Sequence, residues 1–363
     1  MNSTRYLMAV FSIVSVQTAS LATPAKAQKM ELSAGTSDVF SYICANKQVD
    51  PTTKAIRFGR GIEMPGKGYE WDNPGARICF RTDAREITVK LLYSEMHASK
   101  SARNGKGLFY IDGQTRPEWL FDSSATSIVR DKEEVSVPLP VPAEAGFHDY
   151  AIVLPYGDSV ELLGLTVNEG AHFEPFSRLP NIRYVAYGDS ITQGFTASHI
   201  GLTYPFLLAE NKHWQIFNMG FGGRSANAND GKVVAPLKAD IMTILIGVND
   251  WQGGVPLEKF QAQMEGLLHN IRKDSPTTPI YLITPLWVNP SWKPKTEVAD
   301  LDSYRQVIRN IAQKLDDPHL HLIEGPSLID HDAKYFDKVA VHPNDAGFEM
   351  MAGRLAREIH FPN

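Results

Sequence analysis

The stretch Arg183-Tyr-Val-Ala-Tyr-Gly-Asp-Ser-Ile-Thr-Gln-Gly194 decides how the second half of this chain is read. Tyr184, Val185, Ala186 and Tyr187 form a β-branched and aromatic run of strand length that stops at Gly188-Asp189, with Ser190 directly after it. Beyond Gly194 a loop leads into Thr203-Tyr-Pro-Phe-Leu-Leu-Ala-Glu-Asn211, which the pattern predicts as a helix with Thr203 at its N-cap and Pro205 in its first turn. A serine at the carboxyl end of a buried strand, in a Gly-flanked turn, is held in the crevice where open α/β sheets bind ligands. As a bare tripeptide, Gly-Asp-Ser is an ordinary turn. The chain supplies its own control in Tyr156-Gly-Asp-Ser-Val160, the same letters between two strand-like runs with no helix following, which reads as a hairpin turn.

Downstream, strands and helices alternate. Strands are predicted at Tyr184–Tyr187, Gln215–Met219, Ile241–Ile246, Ile280–Thr284 and Leu320–Glu324, and helices at Leu257–Arg272, Val298–Leu315 and Ala346–Ile359. Leu257, Phe260, Met264, Leu267, Leu268 and Ile271 recur at helical spacing, and Met264, Met350 and Met351 are read as core. Strands apolar on both faces, alternating with helices, make a parallel sheet covered by helices.

Three further blocks fall where strands of that sheet end: Gly220-Phe-Gly-Gly-Arg-Ser-Ala226, Gly247-Val-Asn-Asp250, and Val341-His-Pro-Asn-Asp-Ala-Gly347 before the last helix. Strand ends of a parallel sheet share one edge, so these segments can meet. Acyl transfer needs a nucleophile, a base and donors for the tetrahedral oxyanion at one point. Ser190 is the candidate nucleophile and His342 the candidate base. The backbone N–H groups of Ser190 and Gly223 and the Asn249 carboxamide are the candidate oxyanion donors. The Gly-rich residues 220–223 lack the Lys-Ser/Thr of a phosphate loop, and their spacing is wrong for a dinucleotide fingerprint. Trp251 follows Asn249-Asp250, and Trp287 and Trp292 follow another strand end; these aromatics either stack on a substrate ring at the cleft rim or pack inside.

The first half is different. From Lys54 to Glu169 the pattern is β-type, with strands predicted at Ala55–Arg60, Arg77–Thr82, Glu86–Ser94, Gly107–Asp112, Glu133–Leu139, His148–Leu154 and Val160–Val167. Glu86-Ile-Thr-Val-Lys-Leu alternates as a half-buried strand does, and the joints carry turn pairs such as Met64-Pro-Gly66, Asn73-Pro-Gly75 and Asp112-Gly113. Short strands at this spacing, with no convincing helix, predict an antiparallel, jelly-roll-like sandwich. Gly170 to Pro180, with Pro175, reads as a short linker, so the two domains are expected to pack together.

At 363 residues there is room for both domains, and 43% hydrophobic with 21% charged residues is a globular balance. A net charge of -5 without a Lys/Arg-rich run gives no footprint for nucleic acid. Arg5, the short apolar run Tyr6–Val16 and Ala25-Lys-Ala27 fit an export signal cleaved before Gln28; the run is too short to span a bilayer. A periplasmic or extracellular location is therefore expected. Cys44 and Cys79 either form one disulfide there or stay as separate thiols, and neither has partners at zinc-ligand spacing. No metal or organic cofactor is implied.

Gly188-Asp-Ser-Ile-Thr-Gln-Gly194, Gly223-Arg-Ser, Gly247-Val-Asn-Asp250 and His342-Pro-Asn-Asp resemble, in order, the four sequence blocks of the SGNH (GDSL) hydrolases. The resemblance covers Arg183 to the end. It implies a flavodoxin-like three-layer α/β/α domain with Ser190 as nucleophile, Gly223 and Asn249 in the oxyanion hole and His342 as general base. A sandwich ahead of such a domain, with Arg57-Phe-Gly-Arg60 and Tyr110-Ile-Asp-Gly113, further resembles the two-domain carbohydrate esterases of family two, which deacetylate plant polysaccharides. The organisation expected is thus signal 1–27, sandwich 28–172, linker 173–182 and hydrolase domain 183–363. The superfamily Asp that orients the His lies three residues before it, where this chain has Val339. Asp337 fills the role from five residues away, or a backbone carbonyl does so in a Ser-His dyad; Asp332 is more distant. The expected partner is an acetylated carbohydrate, with acetyl-xylan or another hemicellulose as the type. A lipase, arylesterase or thioesterase, an acetyl transferase, or a non-catalytic carbohydrate-binding protein is the alternative.

Overall fold

Twelve strands build the N-terminal part of the computed structural model, which describes residues 29–62, 71–96, 105–122, 133–294, 299–338 and 341–361. The expected signal, the Met64-Pro-Gly66 turn, Val298 and Val339 lie outside the described residues. The strands are β1 (Lys29–Ser33), β2 (Ser41–Ile43), β3 (Asn46–Val49), β4 (Ile56–Gly59), β5 (Arg77–Thr82), β6 (Ile87–Met96), β7 (Gly107–Ile111), β8 (Leu120–Phe121), β9 (Glu133–Leu139), β10 (His148–Val153), β11 (Asp158–Asn168) and β12 (Phe173–Glu174). One sheet runs β3-β4-β11-β6-β9 with β1 added on β11, and the other β12-β5-β10-β7-β8 with β2 added on β5. All their pairings are antiparallel. In β6 the pleat puts Ile87, Val89, Leu91 and Tyr93 inside while Thr88 and Lys90 stay partly open, as the alternation requires.

Two expectations need revision. Tyr156-Gly-Asp-Ser-Val160 is not a hairpin turn: β10 pairs with β5 and β7 while β11 pairs with β1, β4 and β6, so the segment is a corner that passes the chain between sheets. Gly157, at φ 84°, makes the bend. The stretch 173–182 is tied down more than a linker need be, since Phe173–Glu174 pairs with β5 and the Arg178 guanidinium reaches Asp149 at 2.9 Å. Cys44 and Cys79 are unbridged; the β2–β5 register sets Cys79 opposite Ser41. Burial pushes the Cys44 thiol up to about 11 and the Cys79 thiol to about 12, which leaves both unreactive.

The second part is a parallel sheet of β13 (Arg183–Gly188), β14 (Gln215–Gly220), β15 (Ile241–Leu245), β16 (Ile280–Ile283) and β17 (Leu320–Ile323), in the order β14-β13-β15-β16-β17. Tyr184, Val185, Ala186 and Tyr187 are fully buried because β13 is an interior strand, paired on both sides by β14 and β15. The helices are α1 (Ser190–Gln193), α2 (Tyr204–Lys212), α3 (Gly231–Val234), α4 (Val248–Gln252), α5 (Leu257–Asp274), α6 (Leu301–Leu315) and α7 (Asp345–Glu358). Phe260, Met264, Leu267, Leu268 and Ile271 form the buried stripe of α5, which packs on α6, while α2 packs on α7. The strand order reverses between β14 and β15 on either side of β13, so the carboxyl end of β13 is the switch point at which such sheets open a crevice.

The two parts share an apolar cluster at their boundary. Ile43, Leu108, Val153 and Tyr156 of the sandwich belong to the same buried cluster as Ile200, Phe206 and Trp214. The Ile200 N–H donates to the Lys106 carbonyl at 3.0 Å, and Arg77 pairs with Glu210.

Candidate active site

Ser190 opens α1 at the end of β13, so its N–H has no helical acceptor. Asp189 caps the helix, its Oδ1 accepting from the Ile191 N–H at 2.9 Å. Gly188 tolerates no side chain, since a Cβ there would lie 2.1 Å from Thr192 Oγ1 and 2.4 Å from the Leu245 carbonyl oxygen. Burial, with the nearby Asp250 carboxylate in support, raises the Asp189 carboxyl to about 7 against the Ile191 N–H that favours its charge.

Ser190 Oγ and His342 Nε2 stand 2.9 Å apart, the hydrogen bond a nucleophile and its base require, although the two lie 152 residues apart in sequence. His342 sits in a loop that Asp337 closes: the Asp337 N–H donates to the His342 carbonyl at 2.8 Å, and its Oδ1 accepts from the N–H groups of Val341 and His342 at 3.3 and 3.4 Å. Oδ2 lies 3.5 Å from Nδ1 of the ring, an ion-pair distance longer than a formed hydrogen bond. Partial burial works against the Asp337 charge, yet the ring and these backbone N–H groups outweigh it and hold the carboxyl below the usual carboxylate range. Asp332 turns away to Lys334, 3.0 Å from its Nζ. Phe195 packs on the His342 ring at 4.6 Å between centroids, and Thr196, at φ 79°, donates from Oγ1 to the Pro343 carbonyl at 2.8 Å. A β-branched residue in that conformation is strained and is held by such tertiary bonds.

The second block is a turn. The Arg224 N–H donates to the Phe221 carbonyl at 3.1 Å and Gly223 carries φ 75°, while Gly222 has no positive φ; this is the type II pattern, with glycine where it is needed. Among the described residues the Gly223 N–H has no acceptor, which leaves it for an external oxyanion. Asn249, in α4, donates from Nδ2 to the Arg224 carbonyl at 3.1 Å, so one of its two N–H bonds fixes the amide against the turn and the other remains. Asp250 ties the same blocks together by accepting from the Ala226 N–H at 3.1 Å, a brace across the site. Burial lifts its carboxyl to about 6.

Trp251 does not serve the rim. Its ring is 6% exposed and packs at 5.4 Å against Trp292, because α4 turns it inward. Trp287 is partly exposed, stacked on His331 at 5.4 Å and leaning on Phe336, next to the His342 loop. Sequence reasoning missed the supports. Arg224 forks onto Asp230, which also accepts from the Tyr187 hydroxyl at 2.7 Å, and Asn218 donates to the Thr192 carbonyl at 2.8 Å. Arg224 and Asp230 lie six apart and within reach of inspection; the Tyr187 and Asn218 links join separate strands and leave no local signal.

Residues 186–350 match the model of the GDSL-like lipase/acylhydrolase family, which upholds the resemblance carried by the four blocks. No curated protein matches the chain. Among solved structures, a salicylyl-acyltransferase from a tetracycline biosynthetic pathway is similar over 91% of this chain and 96% of its own, at 21% identity and TM-score 0.73. A putative GDSL-like lipase from Bacteroides ovatus is similar over 93% and 100% at 18% identity and TM-score 0.70. A family two carbohydrate esterase from Cellvibrio japonicus is similar over 92% and 97% at 16% identity and TM-score 0.66. At these identities the likeness is one of fold, and it spans both parts of the chain. Family and fold together support an ester hydrolase.

Proposed function

We propose that this protein is an exported serine esterase that removes acetyl groups from a polysaccharide or oligosaccharide. The observation that carries the reading is the 2.9 Å contact of Ser190 Oγ with His342 Nε2 at the end of β13; Gly223, whose N–H has no acceptor among the described residues, and Asn249 follow the two strands that flank β13. His342 takes the Ser190 proton as Oγ attacks the ester carbonyl, and the oxyanion is held by the N–H groups of Ser190 and Gly223 and by Asn249 Nδ2. His342 then protonates the leaving sugar oxygen, and water, activated by the same imidazole, releases acetate. Asp337 balances the imidazolium. The carbohydrate substrate is supported by the two-part likeness to family two carbohydrate esterases and by the half-open Trp287 near the His342 loop; export is supported by the Arg5, Tyr6–Val16 and Ala25-Lys-Ala27 pattern.

The test compares acetate release from acetyl-xylan and other acetylated glycans with hydrolysis of acetyl, butyryl and longer p-nitrophenyl esters. Acetyl preference and glycan deacetylation are expected, both lost in Ser190→Ala. A preference for long acyl chains overturns the carbohydrate assignment in favour of a lipase, and full activity in Ser190→Ala overturns the nucleophile. Transfer of the acyl group to an added sugar in place of water marks a transferase. An N-terminal sequence of the secreted protein starting near Gln28 is the corresponding check on export.

A further inference from the structure

The Arg60 and Asp72 side chains are completely buried at the boundary between the two parts of the molecule. They lie 3.5 Å apart, and both belong to the sandwich. Arg60 donates from Nη1 to the carbonyl of Gly220, and its guanidinium lies over the Phe221 ring with Cζ 3.6 Å from the centroid. Asp72 Oδ2 accepts from Gln193 Nε2 at 2.6 Å, at the end of the helix that Ser190 starts, and from the Gly157 N–H at 3.0 Å.

Gly220 is gripped from every side. Its N–H donates to Asn218 Oδ1 at 2.9 Å, and a Cβ on it would stand 2.1 Å from the Gln193 nitrogen. The next N–H, of Phe221, donates to the Gly188 carbonyl at 3.0 Å. From this point the type II turn projects Gly223, and its far end is held by Arg224 on Asp230 and Asn249. One end of the oxyanion turn is therefore fixed within its own domain, and the other by bonds of that domain together with a side chain from the sandwich, which takes the Gly220 carbonyl.

A buried ion pair is poor evidence for stability, because a well-packed apolar pair of the same volume serves as well or better. What a guanidinium adds here is geometry: a planar fork that bonds a carbonyl in its plane while its face covers an aromatic ring, which an ammonium cannot reproduce. We propose that Arg60, braced by Asp72, is a positioning residue for the reaction, setting the Gly220–Gly223 segment so that the Gly223 N–H meets the oxyanion. The sandwich is then part of the catalytic apparatus. This inference rests on the esterase reading.

The experiment uses the full chain with Arg60→Lys, Arg60→Met and Asp72→Asn. Three quantities are measured: kcat and KM on p-nitrophenyl acetate, the inhibition constant of a small boronic acid that forms a tetrahedral adduct on Ser190, and the fraction of sites titrated by a fluorophosphonate. Misplacing one oxyanion donor is expected to lower kcat per titrated site by about 10- to 100-fold, short of the loss on deleting a donor outright. KM stays within about threefold and boronate affinity falls in step with kcat. Arg60→Lys keeps the charge and is expected to lose nearly as much as Arg60→Met. Variants that fold, titrate fully and retain kcat within twofold of wild type overturn the inference. So does a loss of activity that disappears once corrected for titrated sites, as a purely structural role predicts. Should Arg60→Met fail to fold, Arg60→Lys and the isosteric Asp72→Asn decide the matter by the same readouts. A wild-type protein that neither hydrolyses the ester nor takes up the fluorophosphonate refutes the esterase reading itself, a distinct result.

Discussion

Replacing Asp337 by Asn asks whether a carboxylate 3.5 Å from the imidazole assists catalysis or merely shapes a loop. Asn keeps an oxygen for the Val341 and His342 N–H groups, so the loop is retained while the charge is removed. Two unit charges at that separation attract by about 5 kcal/mol at an effective dielectric constant of 20, and by about 1 kcal/mol in bulk water. Both side chains are about one-sixth exposed, at 17% and 16%, so the effective value lies between these limits. The carboxylate acts only once His342 has taken a proton, so the loss belongs to the transition state. A cost of about 2 kcal/mol corresponds to roughly a thirtyfold fall in kcat with KM little altered. A triad with a formed carboxylate–imidazole hydrogen bond loses about 10⁴ on the same change, so the structure forecasts an intermediate effect. The assay is steady-state hydrolysis of p-nitrophenyl acetate near pH 8, normalised by fluorophosphonate titration of Ser190. A kcat within twofold of wild type would refute the electrostatic argument and leave a Ser-His dyad.

Asn249→Ala removes an oxyanion donor and its bond to the Arg224 carbonyl; kcat is expected to fall by about 10²–10³ with KM nearly unchanged, and a rise in KM alone would contradict the assignment. Asp189→Asn keeps the cap on Ile191 and removes a carboxyl whose folded value, about 7, stands above the unfolded one. Its stabilising proton is fully held below about pH 4 and lost as pH rises toward 7, a loss on the order of 4 kcal/mol. Urea melts at pH 4.5 and 8 should therefore show wild type losing stability with rising pH and the Asn variant losing much less; equal pH slopes would count against it. Gly220→Ala forces a methyl against the Gln193 backbone and is expected to cost about 1–3 kcal/mol or more, seen as a lower Tm, with activity falling further than stability explains.

Much of this architecture was visible in the sequence because it is encoded locally. β5 and β9 have the predicted limits, and the Phe260-to-Ile271 stripe needed only its spacing. Ser190, Gly223 and Asn249 were legible because their blocks follow the ends of β13, β14 and β15, as expected; the His342 block follows no strand but stands in the loop before α7, well past the end of β17, and only its His-Pro-Asn-Asp letters marked it. What escaped is non-local. Asn46-Lys-Gln-Val49 is exposed along its whole length, so the alternation that betrays a strand is missing, and only pairing with β4 makes it one. The Gly157 corner and a hairpin have the same letters; which sheet each flanking strand joins is decided by partners far away. Trp251 shows the limit for side chains, since following Asn249-Asp250 in sequence does not place a ring at the rim when a helix turn carries it inward. Arg60 and Gly220 are 160 residues apart, and no spacing rule links them.

The apolar cluster that runs unbroken from Val153 and Tyr156 to Phe206 and Trp214 makes the two architectures a single inheritance. Cut at residue 182, the catalytic half would bare a greasy scar where β-strands once lay and would forfeit the Tyr156 hydroxyl that clasps the Ala197 carbonyl at 2.6 Å. Heat should melt the whole chain in one step, and exchange of either half between homologues should succeed only when both sides of that seam travel together.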